Sequence, residues 1–135
     1  MTAKEYLSQA YHLNRRIDAK LAQITVLNNL AVKCTASLSG MPSNPSKPTS
    51  SMADTVAKIV DLQEELNADI DRLIELQKEI AAAINNMDSI DQRIILERRY
   101  LCYESFEKIA AATGYTVRNV FILHRKALKK VRIPE

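Results

Sequence analysis

The chain has no tryptophan, only two glycines in 135 residues, and just 5% aromatic side chains. With glycine this scarce there is no phosphate-cradling glycine loop. The two cysteines, Cys34 and Cys102, lie far apart and make no metal or redox spacing. They predict reduced, packed thiols in a cytoplasmic protein. No apolar run approaches the roughly 18 residues that span a bilayer, so no membrane partner is expected. The opening stretch MTAKEYLSQAYHLNRRID lacks a basic segment followed by an uninterrupted apolar one, which predicts no signal peptide. Histidine is short as well: His12 and His124 stand isolated, with no Ser/His/Asp set and no zinc spacing. The expectation is a protein that is not an enzyme, with no cofactor and no metal.

What is abundant points to helix. Hydrophobic residues make up 47%, enough to bury a core, and Ala, Leu, Ile, Lys, Glu and Asn dominate. The net charge of +3 hides an asymmetry. Residues 52–97 carry four Lys/Arg against eleven Asp/Glu, while residues 98–135 carry nine against three. A basic end on a balanced chain suggests a polyanionic partner.

Periodicity divides the chain into four parts. A first helix is predicted over about 2–36, with Leu7, Ala10, Ile17, Leu21, Ile24 and Ala31 spaced by three, four and seven. Asn14 and Asn28 fill the gaps in that register, and Leu13, Leu27 and Leu30 widen the stripe. The segment 37-SLSGMPSNPSKPTSS-51 holds three prolines, a glycine and six serines, and reads as a mobile linker that stops any helix. A second long helix is predicted over 52–86, with two heptad columns. One is Val56, Gln63, Ile70, Gln77 and Ile84. The other is Ile59, Leu66, Leu73, Ile80 and Met87. Two such helices fold most simply as an antiparallel hairpin over residues 1–86. A hairpin cannot bury wide stripes on both helices, so it recruits its own C-terminal part or a second copy of itself. A homodimer through the N-terminal helices is therefore expected.

Residues 87–135 read as a three-helix module. Asp88 or Ser89 can cap a helix running to about Cys102, with Ile90, Ile94, Leu96 and Leu101 as candidate core. Ser105 caps a short helix holding Phe106, Ile109 and Ala110. Gly114 makes a turn, and Thr116 caps the last helix. A short helix, a glycine turn and a longer helix in close succession are the layout of a helix-turn-helix. Ala110 suits a close helix crossing, and Tyr115, Val120 and Leu123 would pack one helix on the other. The predicted fold is all-α: a long antiparallel helical hairpin followed by this module. Arg118, Arg125, Lys126, Lys129, Lys130 and Arg132 lie on or just beyond the last helix, with Arg98 and Arg99 at the end of the first, where they suit DNA phosphates.

The module resembles region 4 of bacterial sigma factors over residues 87–132. The matching residues are Arg98, Arg99 and Tyr100; Ser105, Lys108, Ile109, Ala110, Gly114, Tyr115, Thr116 and Val120; and Ala127, Leu128, Lys130, Val131 and Arg132. A coiled-coil half joined to such a tail is also similar to the small late-transcription regulators of gram-positive phages, the ArpU- and RinA-like groups. The resemblance implies a sequence-specific transcription regulator that binds double-stranded DNA and works at promoters with RNA polymerase. It implies DNA contacts from Thr116, Val117, Arg118, Asn119, Phe121, Ile122, Arg125, Lys126, Lys129 and Lys130. There is one departure. Base-reading positions in the family are mostly Arg, Glu and Gln, whereas here Val117, Phe121 and Ile122 stand beside Arg118. Arg118 suits guanine and Asn119 adenine. The apolar three fit thymine methyls or a protein partner. Two other readings stay open: a protein–protein adaptor, and a DNA-binding protein of phage packaging or replication.

Overall fold

The computed structural model describes the backbone of residues 1–40 and 46–134 and the side chains of residues 1–33 and 52–134. The described residues are all-α, without a strand. Helix α1 spans Ala3–Gly40, α2 Ser46–Asn85, α3 Ile90–Leu96, α4 Phe106–Thr113 and α5 Val117–Lys130, with a π-helical turn over Glu97–Leu101 after α3. The predicted linker is narrower than expected. Helix continues through residues 37–40 and resumes at Ser46. Pro48 falls in the first turn of α2, where a missing N–H breaks no bond. Residues 41–45 of the expected linker lie outside the described residues.

The chain divides into two compact units, one of Met1–Asn14 with Arg72–Glu135, the other of Arg15–Asp71. In the second unit the two helix segments run antiparallel. Lys20 Nζ reaches Asp69 Oδ2, and Glu65 Oε2 at 3.6 Å. Ile17, Ile24 and Leu66 are buried, and Leu27, Ile59 and Leu62 half-buried.

Burial corrects the expected heptad columns. On α2 the column Ile59, Leu66, Leu73, Ile80 and Met87 lies inward as predicted. Its neighbour is not the predicted column but the one a residue earlier: Leu76 and Ala83 are buried, and Leu62 and Asp69 half-buried. Of the other predicted column, Val56 and Gln63 are exposed, Ile70 and Gln77 half-buried and Ile84 buried. On α1 the inward residues are Tyr6, Ala10, Leu13, Ile17, Lys20 and Ile24, whereas Leu21 is 46% exposed. A pair of helices shares one seam two columns wide. A third apolar column needs another surface.

In the first unit that surface exists. Leu7 and Ile84, from the third columns of α1 and α2, are fully buried with Ile80, Leu96, Tyr100, Ala127 and Val131. Tyr6 donates to Glu79 Oε2 at 3.2 Å, tying α1 to α2. At the start of α1, Thr2 Oγ1 accepts from the Glu5 N–H at 3.2 Å while Glu5 Oε2 accepts from the Thr2 N–H, a reciprocal capping box.

The remaining helices begin where their caps stand. Ser89, Ser105 and Thr116 accept from the N–H groups of Gln92, Lys108 and Asn119. Ser89, rather than Asp88, starts α3. From that start Gln92, Ile95 and Leu96 turn inward, so Ile90, an expected core residue, is 62% exposed, and Ile94 and Leu101 are only half-buried. Gly114 has φ +80°, and nothing lies within 4 Å of where a Cβ would stand. Its requirement is therefore one of backbone angle alone, about 1 kcal/mol against alanine.

The helix reaches Leu101, close to the expected end at Cys102, but its last turn, Glu97–Leu101, is π-helical. The Cys102 N–H bonds to the Glu97 carbonyl five residues back at 3.1 Å, widening the turn. Tyr103 follows at φ 60°, rare for a residue with a side chain. Gln77 Nε2 donates to its hydroxyl at 2.8 Å, and its ring meets that of Tyr11.

Candidate nucleic-acid interface

Helix α5 carries most of the candidate residues, and its register decides which side chains point outward. Val120, His124, Ala127 and Val131 form one buried row at helical spacing. Val120 is fully buried with Ile95, Ile109 and Ala110, and Tyr115, Val117 and Leu123 pack against that cluster. The opposite row is Arg118, Ile122, Arg125 and Lys129, all exposed. Asn119, Lys126 and Lys130, also exposed, form a second row beside it. Helix α5 holds no acidic residue. No ion pair among the described residues involves Arg118, Arg125, Lys126, Lys129 or Lys130. Their charge is available to an external anion.

The three apolar residues at the positions expected to read bases separate. Val117 packs inward and belongs to the core of the module. Phe121 is 46% exposed, but its ring lies 4.6 Å from that of Phe106 on α4. Only Ile122, 42% exposed, stands in the middle of the basic row. Thr116 is exposed at the start of α5, where its hydroxyl is occupied as the cap at 3.1 Å from the Asn119 nitrogen.

Arg98 and Arg99 do not join the outward cations. Arg98 Nη1 contacts both carboxylate oxygens of Glu104 at 3.2 and 3.1 Å. Arg99 donates to the Glu104 carbonyl at 3.1 Å and stacks its guanidinium 4.1 Å from the centre of the Phe106 ring. Both brace the link between the π turn and α4. The resulting stack of Arg99, Phe106 and Phe121 leaves no trace in sequence periodicity, because its members come from three elements.

His124 was legible as an isolated histidine, not as a paired one. Its place in the row with Val120 and Ala127 is the signal that puts it inward. Its Nε2 lies 2.6 Å from the Tyr100 hydroxyl, and the two rings stack 5.7 Å apart. Burial, helped by the positive charges of Arg99 and Lys4, lowers the His124 pKa to about 4. Burial also pushes Tyr100 up to about 12, with Arg99 opposing. Both shifts keep the phenol protonated and the imidazole neutral, so the two share a hydrogen bond without a charge. As pH falls from 6.5 toward 4 the unfolded histidine takes up a proton that the folded one refuses, so stability falls. The chain is expected to be on the order of 2 kcal/mol less stable at pH 5 than at pH 7 from this group alone. Melting His124→Gln at both values checks this, since that variant should lose less stability on acidification than the parent.

Comparison with protein-family models, curated proteins and solved structures finds no match to this chain.

Proposed function

We propose that residues 87–135 form a DNA-binding module of a sequence-specific transcription regulator, with α5 as the helix that enters the major groove. The observation that carries this reading is the outward face of α5: Arg118, Arg125 and Lys129 in one row, Lys126 and Lys130 in the next, and no carboxylate on the helix. The basic side chains suit phosphates and set affinity. Arg118 and Asn119, near the N-terminus of α5, carry hydrogen-bonding groups that distinguish guanine and adenine, and Ile122 suits a thymine methyl. The sigma region 4 resemblance favours action at promoters with RNA polymerase, in the manner of a phage late-transcription regulator.

The exposed Phe121 and Ile122 favour a second reading, an adaptor that holds a protein on the same face. Selecting bound fragments from random duplex DNA tests the first. It should enrich a short motif, and Arg118→Ala should relax selection at one base pair while retaining most of the affinity. Enrichment of no motif above background contradicts sequence-specific reading.

A further inference from the structure

We infer that the second unit, Arg15–Asp71, associates with a second copy of itself as an antiparallel four-helix bundle in which α1 of each copy lies against α2 of the other. The starting point is the third apolar column of each helix. Leu7 on α1 and Ile84 on α2 belong to these columns, and in the first unit the C-terminal helices cover both. In the second unit the columns continue at the same heptad register and nothing described covers them. On α1 they run Leu21, Thr25, Asn28 and Val32. On α2 they run Val56, Val60, Gln63 and Asn67. All eight residues are exposed, with Leu21 at 46%, Val32 at 67%, Val56 at 47% and Val60 at 45%. Their spacing of four, three and four is that of a coiled-coil seam. On the opposite flank Ala22, Val26, Leu27 and Leu62 line a shallow, mostly apolar groove rimmed by Gln23, Lys58 and Asp61.

Charge identifies the occupant. Residues 15–33 hold four Lys/Arg and one Asp, net +3, whereas residues 52–71 hold one Lys and six Asp/Glu, net −5. A partner built from this same hairpin is therefore complementary to it. Charge also selects between the two symmetric ways of stacking two hairpins. A two-fold axis across the helices sets α1 on α1 and α2 on α2, facing like charges with each other. An axis parallel to the helices sets each α1 on the other copy's α2, facing opposite charges.

That second arrangement fixes the register. An axis along the bundle leaves every residue at its own height, and within the chain Lys20 is level with Glu65 and Asp69. Between copies Leu21 then meets Asn67, Thr25 meets Gln63, Asn28 meets Val60, and Val32 meets Val56. The apolar contacts supply affinity, and the Asn and Gln residues fix the pairing. Arg15 and Asp71 of both copies lie at one end of this bundle, so both chains continue toward their C-terminal modules from the same end. If those modules bind DNA as proposed above, two half-sites are read together.

The bundle is tested on the full chain without DNA. Light scattering should give twice the 15.2 kDa chain mass, and Val60→Glu should return it to the single-chain mass with helical circular dichroism unchanged. In a background with Cys34 and Cys102 changed to Ser, chains carrying Thr25→Cys and chains carrying Gln63→Cys should cross-link to each other when mixed. Chains carrying Thr25→Cys alone should not. A single-chain mass for the parent, an unchanged mass for Val60→Glu, or dominant self-cross-linking through Thr25→Cys overturns the proposal. DNA does not enter these measurements. A dimer that ignores DNA overturns only the DNA reading, and a monomer that binds DNA overturns only the bundle.

Discussion

Changing Arg125 and Lys126 together to glutamate is expected to weaken binding to duplex DNA by roughly 100-fold or more near 0.1 M salt. Both residues are exposed near the middle of α5, and neither contributes to the cluster that holds α5 on α3 and α4. The change removes two cations and places two anions against the DNA, so repulsion adds to the lost phosphate contacts. Because neither side chain packs, helical circular dichroism and melting temperature should stay near the parent values. Fluorescence anisotropy with a labelled duplex measures the loss. Affinity within a few-fold of the parent would mean that this face does not touch DNA.

Ile84→Ala is expected to destabilise the first unit by about 3 kcal/mol. Ile84 is fully buried in the cluster that joins α1, α2, the π turn and α5 through Leu7, Ile80, Leu96, Tyr100 and Ala127. Removing most of its side chain leaves a cavity lined by residues fixed on several elements, which cannot all close on it. Ile90 is the internal comparison. It is equally apolar and sits just five residues beyond the end of α2, but it is 62% exposed. Ile90→Ala should change stability by no more than about 0.5 kcal/mol. Thermal and urea unfolding of the two variants separate the cases. Equal losses would contradict the packing described.

The features legible in the sequence were those with local causes. Ser105, Gly114 and Thr116 were found because a cap or a left-handed turn is made by one residue and the backbone beside it. The helix-turn-helix layout follows from those three positions. The features that were missed have distant partners. Asp69 belongs to neither predicted column, because Lys20, which compensates it, lies in the other helix. Periodicity marks the apolar column of Val56, Ile70 and Ile84 but cannot say which of two adjacent columns a helix turns toward its neighbour. Ile84 is buried by the C-terminal helices, not by the hairpin seam alone. Arg98 and Arg99 looked like outward cations because Glu104 and Phe106, their partners, lie in a link that carries no periodic signal. On α5 the basic and apolar residues were legible, but only the helix register shows that Val117 turns inward and Ile122 outward.

The central claim is that the outward face of α5 grips the DNA backbone. The most direct test is the affinity of the full chain for random duplex DNA across a range of salt concentrations. If four cations, Arg125, Lys126, Lys129 and Lys130, neutralise phosphates, log K should fall against log salt with a slope of roughly −3.6. A chain that fails to bind duplex DNA at low salt, or binds with a slope near zero, contradicts the claim.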